Sequence, residues 1–293
     1  MVNVDRFSIS SSYLEMSFNE EVIAHGTGFL YAHRGRIFLV TARHNLTGTH
    51  WQDGKNLHPL AARPNYLTFH SWLAARDDKY QYVNSGSFRF SIEVDGLPVW
   101  MEGLGCPPPD VAILDLRKLS SIPEIFPNED DRSQFVELFG GQTDFTRFSK
   151  ASFMPLEVKV PCVNEAASGY RPVIGQDLFI VGYPLQFAAA GDFPIWKRGS
   201  IATEPEADYH GHSMFLIDAV TREGLSGAPV IGEFVNPTFD NGGKGTLTKI
   251  GTDRAFAGLY SGRIGKRDDF SGQLGMVWRP SIIEEIIERN WQD

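Results

Sequence analysis

The stretch TREGLSGAPV, Thr221–Val230, lies between two apolar segments, FLID (215–218) and VIGEF (230–234). Both flanks read as strands, so the chain reverses between them through Gly224-Leu225-Ser226-Gly227. Two glycines are a costly choice for a plain loop, because glycine loses more conformational freedom on ordering than any other residue. Taken alone, the motif admits a nucleophilic serine or a turn serine. The rest of the chain must decide between them.

Working outward, short segments rich in Val, Ile, Phe and Leu are punctuated by Gly, Pro and Asn. VIAHGTGFLYAH and RIFLVTA, joined by Arg34-Gly35, predict a β-hairpin with a tight turn. Further strands are expected at FRFSIEV, DVAILDL, LEVKV, DLFIVGYP, KRGSIAT, SMFLIDAV, APVIGEF, RAFAGLYS and GQLGMVWR. Helical periodicity is concentrated at the end. PSIIEEIIERNWQ opens with Pro280-Ser281 and puts Ile282, Ile283, Ile286 and Ile287 on one face, which predicts an amphipathic helix. Many short strands with one terminal helix imply an all-β chain of barrels or sandwiches. Residues 121–150 interrupt the pattern with two prolines, an acidic run and Gly-Gly, and divide the strands into two sets. The expected organisation is therefore a first barrel over 1–120, a connection over 121–150, a second barrel over 151–280 and a helix over 281–293. FDNGGKGT (239–246) reads as a loop.

Composition excludes several classes. The 293 residues carry a formal charge of −9, which argues against a nucleic-acid binder needing a basic stripe. No apolar run approaches a membrane span. The start, MVNVDRFSISSSYLEMSF, has neither the basic head nor the apolar stretch of a signal peptide, so a cytoplasmic location is expected. Cys106 and Cys162 make neither a disulfide framework nor a metal-ligand spacing and are expected as buried thiols. His210 and His212 have no helpful carboxylate or thiol beside them and read as solvated loop residues. No metal and no cofactor is called for.

A serine nucleophile needs a base, usually an imidazole oriented by a carboxylate. His25, His33, His44, His50, His58, His70, His210 and His212 all precede Ser226, which excludes the Ser–acid–His order of the α/β-hydrolases. The GxSxG motif of that fold also requires glycine where this chain has Ala228. His44 stands where the strand RIFLVTA leaves its sheet, after the small Thr41 and Ala42. Asp110 follows three prolines and opens the apolar VAILDL, a boundary where a partly buried carboxylate can orient an imidazole. Asp115 in the same segment is its competitor.

TARHN, DVAILDL and GLSGAPV, in the order His–Asp–Ser, resemble the trypsin-like (chymotrypsin-fold) serine peptidases. GTGFLY before TARHN, DLFIVGYP, and GLYSGR at 258–263 are similar to further segments of that family, so the likeness runs along nearly the whole chain. The resemblance implies two antiparallel six-stranded β-barrels with a cleft between them and a C-terminal α-helix. It implies His44 as general base, Asp110 as its orienting carboxylate, Ser226 as nucleophile, and the N–H groups of Gly224 and Ser226 as an oxyanion hole. Ser261 would pair with an extended peptide substrate. Leu225 replaces the aspartate that pairs with a freshly cut N-terminus in secreted members, and their disulfides are absent. The likeness is therefore to intracellular and bacterial branches without a PDZ domain, active without N-terminal processing and open to control by a regulatory protein partner. Basic-specific members carry aspartate where this chain has Val220, so cleavage after Lys or Arg is not expected. Thr221 matches a position where acid-specific members use a hydroxyl, and Arg263 follows Ser261-Gly262 near the expected pocket mouth, where it reads first as a solvated rim charge. Tyr260 replaces the histidine of those members, so a small or apolar residue suits the pocket at least as well as an acidic one. A silent peptide-binding module and an esterase with the same residues are the alternatives.

Overall fold

In the computed structural model, residues 4–76, 81–141, 157–165, 170–189, 192–239, 247–264 and 274–291 are described. The expected hairpin forms, from the second and third strands of the first unit. In chain order that unit's strands begin with β1 (Ser11–Phe18), β2 (Glu21–His33), β3 (Arg36–Thr41), β4 (Tyr66–Arg76) and β5 (Gln81–Ser91). They are followed by β6 (Glu93–Val94) and β7 (Leu97–Pro98), which pair only with each other, and by β8 (Met101–Glu102), β9 (Ala112–Asp115) and β10 (Glu157–Lys159). Arg34 and Gly35 both take positive φ, 45° and 74°, the conformation that a two-residue turn needs to match strand twist. Around that hairpin the strands order as β10-β4-β1-β2-β3-β9-β8, with β5 on β4, making eight strands.

The second unit is a closed six-stranded barrel. It consists of β11 (Asp177–Gly182), β12 (Ile195–Ile201), β13 (Met214–Asp218), β14 (Ala228–Phe239), β15 (Leu247–Arg263) and β16 (Leu274–Trp278). The barrel closes in the order β11-β12-β13-β16-β15-β14. The mostly-β architecture with a terminal helix is thus as expected, and one of its two units is a closed barrel of six. The first unit is larger than expected by two strands. Its β1 and β4 were not foreseen, because buried serines replace part of the apolar alternation: Ser11, Ser12, Ser17 and Ser71 are all buried.

Two further assignments are corrected. LEVKV, expected in the second unit, supplies β10, which pairs with β4 of the first. Within 121–150 lies a helix of eleven residues, α4 (Glu129–Phe139), after α1 (Arg6–Ser10), α2 (Arg43–Thr47) and α3 (Leu116–Ser120). The acidic run is its first turn, Glu129–Asp131, favoured by the helix dipole, and Asn128 caps it by accepting from the Asp131 N–H at 2.8 Å. Phe135 and Phe139, four residues apart, bury one face against Phe69, Phe88 and Phe90. Residues 142–150, and 240–246 of the expected loop, lie outside the described residues.

The terminal helix α5 (Pro280–Arg289) buries Ile282, Ile283, Ile286 and Ile287. These side chains share one core with Phe29, Phe38 and Val40 of the first sheet and Val181, Ile231 and Trp278 of the barrel. Tyr31 and His33 of β2 bond Glu284 and Glu288 on the same helix. One apolar core thus joins the two units. Cys162 is buried as expected, but Cys106 is exposed in the proline loop before β9. His210 is exposed, whereas His212 packs edge-on against Trp51 and Trp278 rather than lying free in solvent. No helix among the described residues is long and apolar enough to cross a membrane.

Candidate active site

His44 lies in the first turn of α2, directly after β3 ends at Thr41. Asp110 precedes β9 and is fully buried. Pairing of β3 with β9 brings them together across 66 residues. Asp110 Oδ1 accepts the His44 backbone N–H at 2.9 Å, and Oδ2 meets the ring Nδ1 at 2.7 Å. With its proton on Nδ1, the neutral ring presents Nε2 as a proton acceptor. Desolvation opposes the charged ring, but the Asp110 charge and hydrogen bond outweigh it, so the His44 pKa lies above the ordinary imidazole value.

The competitor, Asp115, is otherwise engaged. Its carboxylate takes Arg36 Nη1 at 3.0 Å and caps α3 through the Arg117 and Lys118 N–H groups. It sits opposite Phe38, while Ala112 sits opposite Thr41 at the His44 end of the same strand pair.

Ser226 occupies the turn between β13 and β14. Gly224 and Gly227 hold φ of 91° and 86°, and both are hemmed in by backbone. A Cβ on Gly224 would lie 2.2 Å from the Tyr183 carbonyl oxygen, and one on Gly227 would lie 2.1 Å from that of Thr27. No other residue type fits either place. The Glu223 carbonyl accepts from Leu185 N–H at 2.7 Å and the Leu225 carbonyl from Ala228 N–H at 2.9 Å. In trans peptides this turns the Gly224 and Ser226 N–H groups the opposite way. Among the described hydrogen bonds, neither amide has a protein acceptor.

His44, Gly224, Ser226, Thr221, Ser261 and Arg263 line one cleft of about 860 Å³, with Arg222 and Tyr260. Val220 is not on that wall: it is 43% exposed, and the next residue, Thr221, turns inward instead. The buried Thr221 hydroxyl meets Tyr260 OH at 2.6 Å. Burial pushes the Tyr260 phenol up to about 12, against the Thr221 hydrogen bond and the Arg263 charge, so it stays protonated at neutral pH. Its ring lies over Gly275, where a Cβ would come within 2.7 Å of Cε2. The Ser226 hydroxyl donates to the Ser261 carbonyl at 3.2 Å. Sequence reasoning gave no role to Asn45, whose Nδ2 donates to both Thr41 Oγ1 and the Ser226 carbonyl, nor to Thr27. Both lie inside quoted motifs, but a hydrogen bond to a turn some 180 residues away leaves no local mark.

No family model and no curated protein matches the chain. Solved structures resemble it. The serine endoprotease from Yersinia pestis is 10% identical, with 99% of this chain and 67% of that chain covered, at a TM-score of 0.47. The Rv3671c protease in its inactive form is 16% identical, with 97% and 89% covered, at 0.43. A serine-to-alanine mutant of Rv3671c from M. tuberculosis, also inactive, gives 16%, 97% and 88%, at 0.41.

Proposed function

We propose that the protein is a serine endopeptidase acting through Ser226, His44 and Asp110. The observation that carries this reading is the doubly bonded His44–Asp110 pair opening on the same cleft as Ser226 and two unengaged amides. Ser226 Oγ attacks the scissile carbonyl carbon while its proton passes to His44 Nε2. The resulting oxyanion accepts hydrogen bonds from the Gly224 and Ser226 N–H groups. The C–N bond then breaks, His44 returns the proton to the leaving amine, and an ester to Ser226 remains. Water attacks that ester with His44 taking its proton, which releases the carboxylate and restores the hydroxyl. Asp110 holds the ring and stabilises its charged form throughout.

Substrate binding is assigned to the Ser261 backbone, which pairs with an extended peptide, and to the recess beside Thr221 and Tyr260. Thr221 and Tyr260 are buried and hydroxyl-bonded to each other and offer no carboxylate there, so a small side chain suits the position before the scissile bond and a long cationic one finds no partner in them. Arg222, Glu223 and Arg263 are the charged side chains on the cleft wall. One observation favours the silent binding module: the Ser226 hydroxyl is held by the Ser261 carbonyl, and attack requires it to leave that partner.

Labelling by an aryl phosphonate decides between the two. Wild type is expected to form a covalent adduct at Ser226. Ser226→Ala is expected to lose the adduct and at least on the order of a thousandfold in turnover, with its melting temperature preserved. An unlabelled wild type that hydrolyses neither peptides nor small esters establishes the binding module instead. Ester turnover without peptide turnover establishes an esterase.

A further inference from the structure

We propose that Thr27 is a positioning residue that sets the oxyanion-binding turn against the strand leading to His44, an inference that rests on the peptidase reading above. Thr27 lies in β2 and is fully buried. Each of its polar groups is committed around the Ser226 turn. Its N–H donates to the Ser226 carbonyl at 2.9 Å. Its hydroxyl donates to the Gly224 carbonyl at 2.7 Å and accepts from the Tyr183 N–H at 3.1 Å. Its own carbonyl accepts from Thr41 Oγ1 at 2.8 Å.

These bonds fix two peptide planes. A planar trans peptide has one orientation once its carbonyl is held. Thr27 holds the Gly224–Leu225 plane through its side chain and the Ser226–Gly227 plane through its backbone, and these planes flank both candidate oxyanion donors. Thr41 then links Thr27 to Asn45, which donates to Thr41 Oγ1 at 2.9 Å and to the Ser226 carbonyl at 3.0 Å. A closed hydrogen-bonded path therefore runs from the end of β3, next to His44, to the turn carrying Ser226. The hydroxyl, not the volume, is the required feature. Valine in its place would leave the Gly224 carbonyl and the Tyr183 N–H without that partner in a dry site. Size is bounded as well, since a Cβ on Gly182 would come within 2.6 Å of Thr27 Oγ1.

The test compares wild type, Thr27→Val and Thr27→Ser, each first titrated with the aryl phosphonate and then assayed on one peptide ester. Thr27→Val is expected to lose about tenfold to a hundredfold in kcat, less than deletion of an oxyanion donor, with KM within about twofold. Its affinity for a peptidyl boronate, which forms a tetrahedral adduct on the serine, should fall by the same factor. Thr27→Ser should restore both to within about threefold, because it keeps the donor and acceptor. The acid limb of the pH profile should not move in either variant, since neither touches His44 or Asp110. If Thr27→Val does not fold, Thr27→Cys, with its weaker donor, carries the same comparison. A labelled wild type beside a variant of unchanged kcat, or an equal loss in Thr27→Ser, overturns the assignment of Thr27 alone. A wild type that is neither labelled nor active overturns the peptidase reading and this inference with it.

Discussion

His44 gives Asp110 two hydrogens, one from its backbone and one from its ring, so the carboxylate fixes both where the ring is and which nitrogen faces the cleft. That has a consequence in pH. A protonated His44 cannot accept the serine proton, so kcat/KM should rise with pH through the His44 pKa. Because that pKa is raised, the midpoint should lie above about 6.5. Asp110→Asn removes both raising influences and leaves desolvation, so the midpoint should move down while kcat falls by about 10⁴. Rate profiles between acid and mildly basic pH check both, and a midpoint unmoved in Asp110→Asn contradicts the assignment. The same pair contributes stability that is complete below the unfolded imidazole value, about 6.5, and is lost as pH rises through the higher folded value. Tyr260 governs a second expectation. A peptide library should show small residues before the scissile bond, with Lys and Arg excluded, and Tyr260→Ala should admit longer apolar side chains. An unchanged preference in that variant would mean that the Thr221–Tyr260 pair does not floor the binding recess.

At the scale of elements, α4 shows how a segment without strand character stabilises a sheet. Its acidic first turn and Asn128 cap start the helix, and Phe135 then meets Phe69, Phe88, Phe90, Phe126 and Phe139. Such a buried ring has little room to be replaced by collapse. Phe135→Ala should cost about 3–5 kcal/mol, read as a shift in the urea midpoint. No α4 residue lines the cleft, so the remaining folded protein should turn over at the wild-type rate. A stability change under about 1 kcal/mol would mean that the helix is only loosely docked. The turn at Gly224–Gly227 is a different kind of element. It anchors one side chain, Leu225, in the barrel core, and its carbonyls are clamped one by one by Thr27, Leu185, Ala228 and Asn45.

The whole molecule brings the two units together over one core. Phe29, Phe38 and Val40 meet Val181, Ile231 and Trp278 there, and α5 closes over both. His44 and Asp110 come from the first unit and Ser226 from the turn leading into β14 of the barrel, so the cleft is lined from both units. A residue pair such as Thr27 and Gly224, 197 positions apart, bonds only because of this docking.

Sequence by itself determined the features whose causes are local. The Arg34-Gly35 turn needs two positive φ values, the Ile282–Ile287 face needs only a 3.6-residue period, and Gly224 and Gly227 announce a turn that no side chain tolerates. The order of histidine, aspartate and serine excluded one hydrolase class before any fold was known. What only the tertiary structure decided depends on strand register and long-range packing. Asp110 rather than Asp115 faces His44 because β3 and β9 pair in one register, and the other carboxylate is consumed by Arg36 and α3. Thr221 rather than Val220 enters the cleft because adjacent residues of an extended chain point to opposite sides. β10 joins the first sheet, and Thr27 reaches the Ser226 turn, because partners that far apart are chosen by shape and hydrogen-bond satisfaction across the folded core, which no window of sequence contains.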